Sequence, residues 1–111
     1  MIYERFDIIR VPFPFTDVHS TKKRPALVIS NEDYQINYDH CILAMITSAK
    51  QSRWIDDIRI TDIFATGLLS ASIIRMKIFS IDAKLVISKL GALGDSDVDR
   101  VLKNLTKYLV S

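Results

Sequence analysis

Lys22, Lys23 and Arg24 run into Pro25, and the apolar stretch Ala26-Leu27-Val28-Ile29 follows at once, before Ser30-Asn31. Pro25 cannot donate a backbone hydrogen bond and biases Arg24 toward an extended conformation. Arg24 is therefore expected at a strand mouth, where a rigid element projects its permanently charged fork in the way phosphate recognition requires. Thr47-Ser48 closes a later apolar run, and Arg75 sits inside another. Taken singly, each has a plain reading: Lys-Lys-Arg-Pro as a solvated turn, Thr47 as a strand-end hydrogen-bonder, Arg75 as an outward-facing strand residue. Once the other chemistries are set aside, what remains is arginine plus hydroxyl chemistry, which points to phosphodiesters. Trp54, beside Lys50, Gln51 and Arg53, can stack an unpaired base or simply anchor its loop.

Other chemistries find no footing. The glycines Gly67, Gly91 and Gly94 match neither nucleotide-binding fingerprint. His19, His40 and Cys41 offer no zinc spacing, and no Ser-His-acid set can be picked out from order alone. No cofactor and no metal are expected.

Short strands must position these residues. Phe6 to Phe13 reads as a first strand, β-branched at Ile8, Ile9 and Val11 and closed by Pro12 and Pro14. Thr16 to Lys23 is a polar loop. Ala26 to Ile29 suits a strand buried on both faces. Asn31 to Asp33 starts a short helical turn, His40 to Ile46 forms a third strand ending at Thr47-Ser48, and Ala49 to Trp54 is a basic loop. Asp57 to Thr61 is a short alternating strand, Ala65-Thr66-Gly67 a turn, Ser72 to Phe79 a strand, and Leu85 to Leu90 the last one. Ser96 with Asp99 resembles a capping box. Val98, Val101, Leu102, Leu105, Tyr108 and Leu109 then share one helical face, as core or dimer contact. The pattern predicts a small, mostly antiparallel barrel or curled sheet closed by one amphipathic helix.

The 111 residues suit one domain, spanning 1–111, with one hydrophobic core. At 49% hydrophobic and 25% charged, the chain is an ordinary globular one. A formal charge of +2 is too mild to argue for nucleic acid, so the placement of charge has to carry that case. Cys41 is the single cysteine, which excludes an internal disulfide and fits a reducing compartment; its plain role is a small buried hydrophobe. No apolar run approaches the ~20 residues of a membrane span. Glu4, Arg5 and Asp7 interrupt the start too early for a signal peptide. A cytoplasmic protein without membrane contact is expected.

The order of these motifs resembles the MazF/PemK toxins, the metal-independent endoribonucleases of toxin–antitoxin pairs. The residues that carry the likeness are Asp7-Ile8-Ile9, Val11-Pro12-Phe13-Pro14-Phe15-Thr16-Asp17, Lys23 to Asn31, Ala44-Met45-Ile46-Thr47-Ser48, Ser72-Ile73-Ile74-Arg75 and Lys77 to Asp82. The resemblance implies a mainly β chain with some α: a small SH3-like barrel of MazF/PemK/CcdB type with a C-terminal α-helix, usually dimeric. It also implies cleavage of single-stranded RNA, messenger RNA in particular. Arg24 and Thr47 match the family's catalytic arginine and threonine, and Arg75 stands where plasmid-encoded members carry a further catalytic arginine. Phe6 replaces the glycine usual before Asp7. The acid that follows the later arginine in some members is missing, with Met76 and Lys77 in its neighbourhood.

In metal-free RNA cleavage the adjacent 2′-hydroxyl attacks phosphorus and leaves a 2′,3′-cyclic phosphate. A bidentate arginine stabilises the charge that builds on the non-bridging oxygens. Arg24 takes mainly that role, because a guanidinium is a poor proton shuttle near neutral pH, with proton donation to the leaving oxygen left open, and Thr47 can donate to the same oxygens. The base is unidentified; His19 is the candidate in the first loop. Lys22, Lys23, Ser48, Lys50, Arg53 and Trp54 are expected to bind RNA, and a cognate antitoxin to cover the groove, with DNA met only through that complex. The alternatives are a non-catalytic CcdB-like poison of DNA gyrase and a catalytically idle RNA-binding module.

Overall fold

The apolar run after Phe6 becomes β1 (Asp7–Pro12), and its alternation sends Ile9 and Val11 into one apolar layer and Ile8 into another, all three fully buried. The computed structural model describes residues 1–13, 22–51 and 53–111. The remaining elements are β2 (Lys23–Val28), α1 (Glu32–Tyr38), β3 (His40–Ser48), β4 (Ile58–Arg59), α2 (Ile63–Thr66), β5 (Ser72–Asp82), β6 (Ser88–Ala92) and α3 (Asp95–Leu105). The six strands form one antiparallel sheet in the order β4-β5-β3-β2-β1-β6.

Register shifts between Ala44 and Met45 on β3 and between Ile8 and Ile9 on β1 bend the strands, because a bulge inserts backbone on one side of a ladder. The result is a curled half-barrel with a C-terminal helix, the mainly β architecture expected. Its central strand is buried on both faces as anticipated: Ala26 and Val28 pack with Leu43 and Phe79, while Leu27 packs with Ala44, Ile46 and Ile74.

Several boundaries differ from expectation. β2 begins at Lys23, so Pro25 lies inside the strand and not before it. Asn31 caps a two-turn helix, its Oδ1 accepting from Tyr34 N at 3.0 Å. The strand expected over Asp57 to Thr61 keeps only Ile58 and Arg59. Ala65-Thr66-Gly67 is the end of α2, with Gly67 at φ +72° closing it. A 3-10 turn at Ala83–Leu85 delays the last strand, which then includes Gly91. A Cβ on Gly91 would lie 2.5 Å from the Ala65 carbonyl oxygen, so the glycine permits α2 to close on β6.

The capping box at Ser96 is not formed. Helix α3 starts at Asp95 behind Gly94, whose carbonyl accepts from Asp97 N and Val98 N. Asp97 lies inside the first turn, and its fully buried carboxylate accepts from Thr61 N at 2.9 Å, Thr61 Oγ1 at 2.8 Å, Asp62 N at 3.2 Å and Arg100 Nη1 at 3.1 Å. Burial alone would push this carboxyl up, but those donors outweigh it and hold it below its ordinary range. The expected helix face is also only half used. Val98, Val101 and Leu105 pack on the sheet, whereas Leu102, Tyr108 and Leu109 are exposed: Leu102 sits at the edge of the packed stripe within α3, and Tyr108 and Leu109 lie in the last residues, Thr106–Val110, which widen into a π turn.

Cys41 is buried, its Sγ 3.7 Å from Gln35 Oε1, and burial raises its thiol. Phe6 adopts φ +75°, the left-handed conformation that favours glycine. Among the described residues no helix is long and apolar enough to cross a membrane.

Candidate active site

The β2–β3 ladder begins at Ala26↔Met45, one residue after Pro25, where a missing N–H removes a ladder bond. Two residues outward on each strand stand Arg24 and Thr47. The pleat places them at corresponding positions on the same face of the sheet, at the end where the strands part. The other neighbour of Arg24 is Val11 on β1. Its guanidinium lies over the Phe13 ring, 5.5 Å from the centroid, and Phe13 meets Phe79 edge-on at 5.7 Å. The Nε of Arg24 is buried and, among the described residues, has no hydrogen-bond partner. A desolvated donor left open in this way is costly unless a ligand satisfies it.

Thr47 is 6% exposed and paired with Ile73 on β5, and Ser48 beside it is paired with Ser72. Here the sheet end opens into a cavity of about 310 Å³. Arg10, Lys23 and Arg24 line it from β1 and β2, Thr47 and Ser48 from β3, and Ser70 and Ser72 at the start of β5, with Leu68, Leu69 and Leu90 as an apolar wall. Cations and hydroxyls lining one opening beside an apolar wall suit an anionic, partly apolar ligand such as a nucleotide of an RNA strand. Arg10 was not anticipated. Its signal was a cation alternating with Ile9 and Val11, and its register partner is Pro25.

Arg75 lies on β5 opposite Met45, just past the bulge. It is not the outward-facing residue that alternation allowed: it is 7% exposed, and it does not line the cavity. Its Nε donates to Asp57 Oδ1 at 3.2 Å and its Nη2 to Asp57 Oδ2 at 2.9 Å, a forked pair. Trp54 covers it, the guanidinium 5.3 Å from the ring centroid. Trp54 is 49% exposed, so it anchors its loop and still presents surface to solvent. Asp57 escaped the sequence reading because it stands 18 residues before Arg75 and read as the start of a strand.

The turn that delivers Asp57 is built in layers. Trp54 N donates to Asp57 Oδ2 at 2.9 Å, and Asp57 N to Trp54 O at 3.2 Å. Between them Asp56 takes φ +67°. Its carbonyl accepts from Asn104 Nδ2 at 2.9 Å, and its carboxylate accepts from Lys107 Nζ and the Tyr108 hydroxyl. Those two donors, Tyr108 foremost, hold the Asp56 carboxyl below its ordinary value.

Of the remaining expected RNA contacts, Lys22, Lys50 and Arg53 are exposed. Lys50 shares a neighbouring depression with Ser48, whose Oγ accepts from Lys50 N at 3.2 Å. Neither Lys22 nor Arg53 lines the cavity beside Arg24 and Thr47. His19 lies outside the described residues. Among the described residues no group of three or more His, Cys, Asp or Glu is placed to hold a metal ion.

A family model for the PemK-like, MazF-like toxin of type II toxin–antitoxin systems matches residues 4–109. No protein of curated function matches the chain by sequence. Solved structures do match its fold. MazF from Deinococcus radiodurans aligns with a TM-score of 0.76 at 17% identity, over 100% of this chain and 99% of that one. The Mycobacterium tuberculosis toxin MazF-mt6 aligns at 0.71 and 16%, over 91% and 93%. An endoribonuclease in complex with its cognate antitoxin, from a mycobacterial species, aligns at 0.71 and 11%, over 96% and 91%.

Proposed function

Because this chain belongs to the PemK-like, MazF-like toxins of type II toxin–antitoxin systems, we propose that it is an endoribonuclease that cuts single-stranded RNA without a metal ion. The observation that carries the reading is Arg24: a strand-held guanidinium with a buried, unpartnered Nε, standing beside Thr47 at the mouth of a cation- and hydroxyl-lined cavity.

The chemistry follows from those groups. The 2′-hydroxyl next to the scissile bond gives up its proton and attacks phosphorus, the bond from phosphorus to the 5′-oxygen breaks, that oxygen takes up a proton from solvent and leaves as a hydroxyl, and a 2′,3′-cyclic phosphate remains. Arg24 stabilises the charge that grows on the non-bridging oxygens, and Thr47 donates a hydrogen bond to the same group. Arg10 and Lys23 draw the neighbouring phosphates in. The described residues lining the cavity include no carboxylate and no imidazole, so His19 is retained as the candidate base that takes the 2′-hydroxyl proton. Arg75, two ladder positions from Thr47 on the same face of the sheet, serves the same reaction, and Trp54 offers a stacking surface. The protein acts as a homodimer, and its antitoxin covers the basic groove.

The test is cleavage of single-stranded RNA by purified protein in EDTA, with the new 3′ ends analysed for cyclic phosphate. Arg24→Ala should lower the rate by roughly 100-fold or more while the circular dichroism stays native. Retention of gyrase without RNA cleavage would instead favour the CcdB-like alternative.

A further inference from the structure

The acid that follows the later arginine in some MazF/PemK toxins is absent at Met76-Lys77, yet Arg75 is forked onto a carboxylate from another part of the chain. We infer that Asp57 is the positioning residue for Arg75, and that the Trp54–Asp57 turn is a preformed cradle that aims this guanidinium at the RNA phosphate. The inference rests on the endoribonuclease reading of the same site.

Three observations carry it. First, the pair is buried on both sides, with side-chain exposures of 9% for Arg75 and 4% for Asp57. A forked pair in that setting fixes the plane of the guanidinium and not merely its charge. Second, Asp57 is itself immobilised: its Oδ2 also accepts from Trp54 N, and its own N–H is bonded to Trp54 O. Third, Trp54 closes the other side of the guanidinium at 5.3 Å, so the arginine is held at its edge and covered on a face. An arginine needed only for charge requires none of this, and a buried ion pair is in general a poor way to gain stability. Orientation is what the arrangement supplies, and orientation is what an electrostatic contact to a transition state depends on.

The experiment is a double-mutant cycle on RNA cleavage under single-turnover conditions, using wild type, Asp57→Asn, Arg75→Ala and the double variant. The Nε–H resonance of Arg75 is followed in parallel by NMR. Asp57→Asn should slow the chemical step roughly 10- to 100-fold with little change in KM, and should expose the Arg75 Nε–H to fast exchange. In the Arg75→Ala background the same substitution should change the rate less than twofold, because its effect passes through the arginine. Asp57→Glu should recover part of the lost rate.

Equal losses in both backgrounds would make Asp57 a merely structural residue and overturn the inference. So would an Asp57→Asn enzyme of wild-type rate. A wild-type protein that cuts no RNA overturns the endoribonuclease reading and this inference together, whereas a wild type that cuts and a cycle that is additive overturns this inference alone. If Asp57→Asn does not fold, the Asp57→Leu/Arg75→Met pair supplies an apolar core, and full activity in that folded variant would also overturn it.

Discussion

The Tyr108 hydroxyl donates to the Asp56 carboxylate across 52 positions of chain, tying the C-terminal turn to the loop that carries Trp54 and Asp57. Lys107 reaches the same oxygen at 3.2 Å. Because these donors depress the Asp56 carboxyl in the folded protein, the tie holds above the ordinary carboxylate value and is lost as pH falls through the depressed one. Trp54 is the only tryptophan, so its emission should report that loss. Tyr108→Phe should move the acid transition in Trp54 fluorescence to higher pH. Superimposable titrations of the two proteins would show that the tie does not govern the turn.

Arg24 should be a residue that function keeps against stability. Its Nε is buried without a partner among the described residues, a cost that an apolar side chain of similar length avoids. Arg24→Met is expected to abolish RNA cutting while leaving stability equal or raising it by up to about 2 kcal/mol. Urea unfolding checks it, and a clearly destabilised Arg24→Met protein would contradict the argument.

Asp97 carries the join between α3 and the Thr61–Asp62 segment. Asp97→Asn keeps the shape but replaces a charged acceptor of four hydrogen bonds, and should cost about 2 kcal/mol or more at pH 7. Since the folded carboxyl is held below its ordinary range, the wild-type advantage is present in full above that range and shrinks as pH falls through the folded value. Thermal melts from pH 7 to pH 3 should show the two proteins converging toward acid, and a constant gap would exclude the linkage.

Phe6 allows backbone strain to be separated from packing. Phe6→Ala and Phe6→Gly remove the same aromatic contact with the α3-side core, but only glycine relaxes at φ +75°. The glycine variant should be the more stable of the two by roughly 1–2 kcal/mol. Equal denaturant midpoints would mean that the position carries no strain.

How much of this could be read from the chain depended on whether a signal was local. The β-branched run at Ile8–Val11 and the continuous apolar run at Ala26–Val28 announced buried strands, since alternation and apolar density are properties of neighbouring residues. Arg24 was legible because Pro25 constrains it directly. The Arg75–Asp57 pair was not, because alternation along β5 predicts sidedness but not which distant carboxylate waits there. Gly94 displaced Ser96 as the cap for a similar reason: Asp97 was already committed to Thr61, 36 residues away. Leu109 shares helical spacing with Val101 and Leu105, yet spacing cannot reveal where a helix outruns the sheet it packs on. His19 and most of its loop fall outside the described residues.

Cys41 has a practical consequence for experiments on this protein. It is the chain's one cysteine, it is 1% exposed, and burial raises its thiol, so little thiolate is available to an electrophile near neutral pH. A maleimide dye would therefore meet no competing nucleophilic sulfur in the folded protein. A cysteine installed at an exposed position such as Lys50 or Arg53 becomes a unique handle for fluorescence or crosslinking, with no need to rebuild the core around a cysteine-free background.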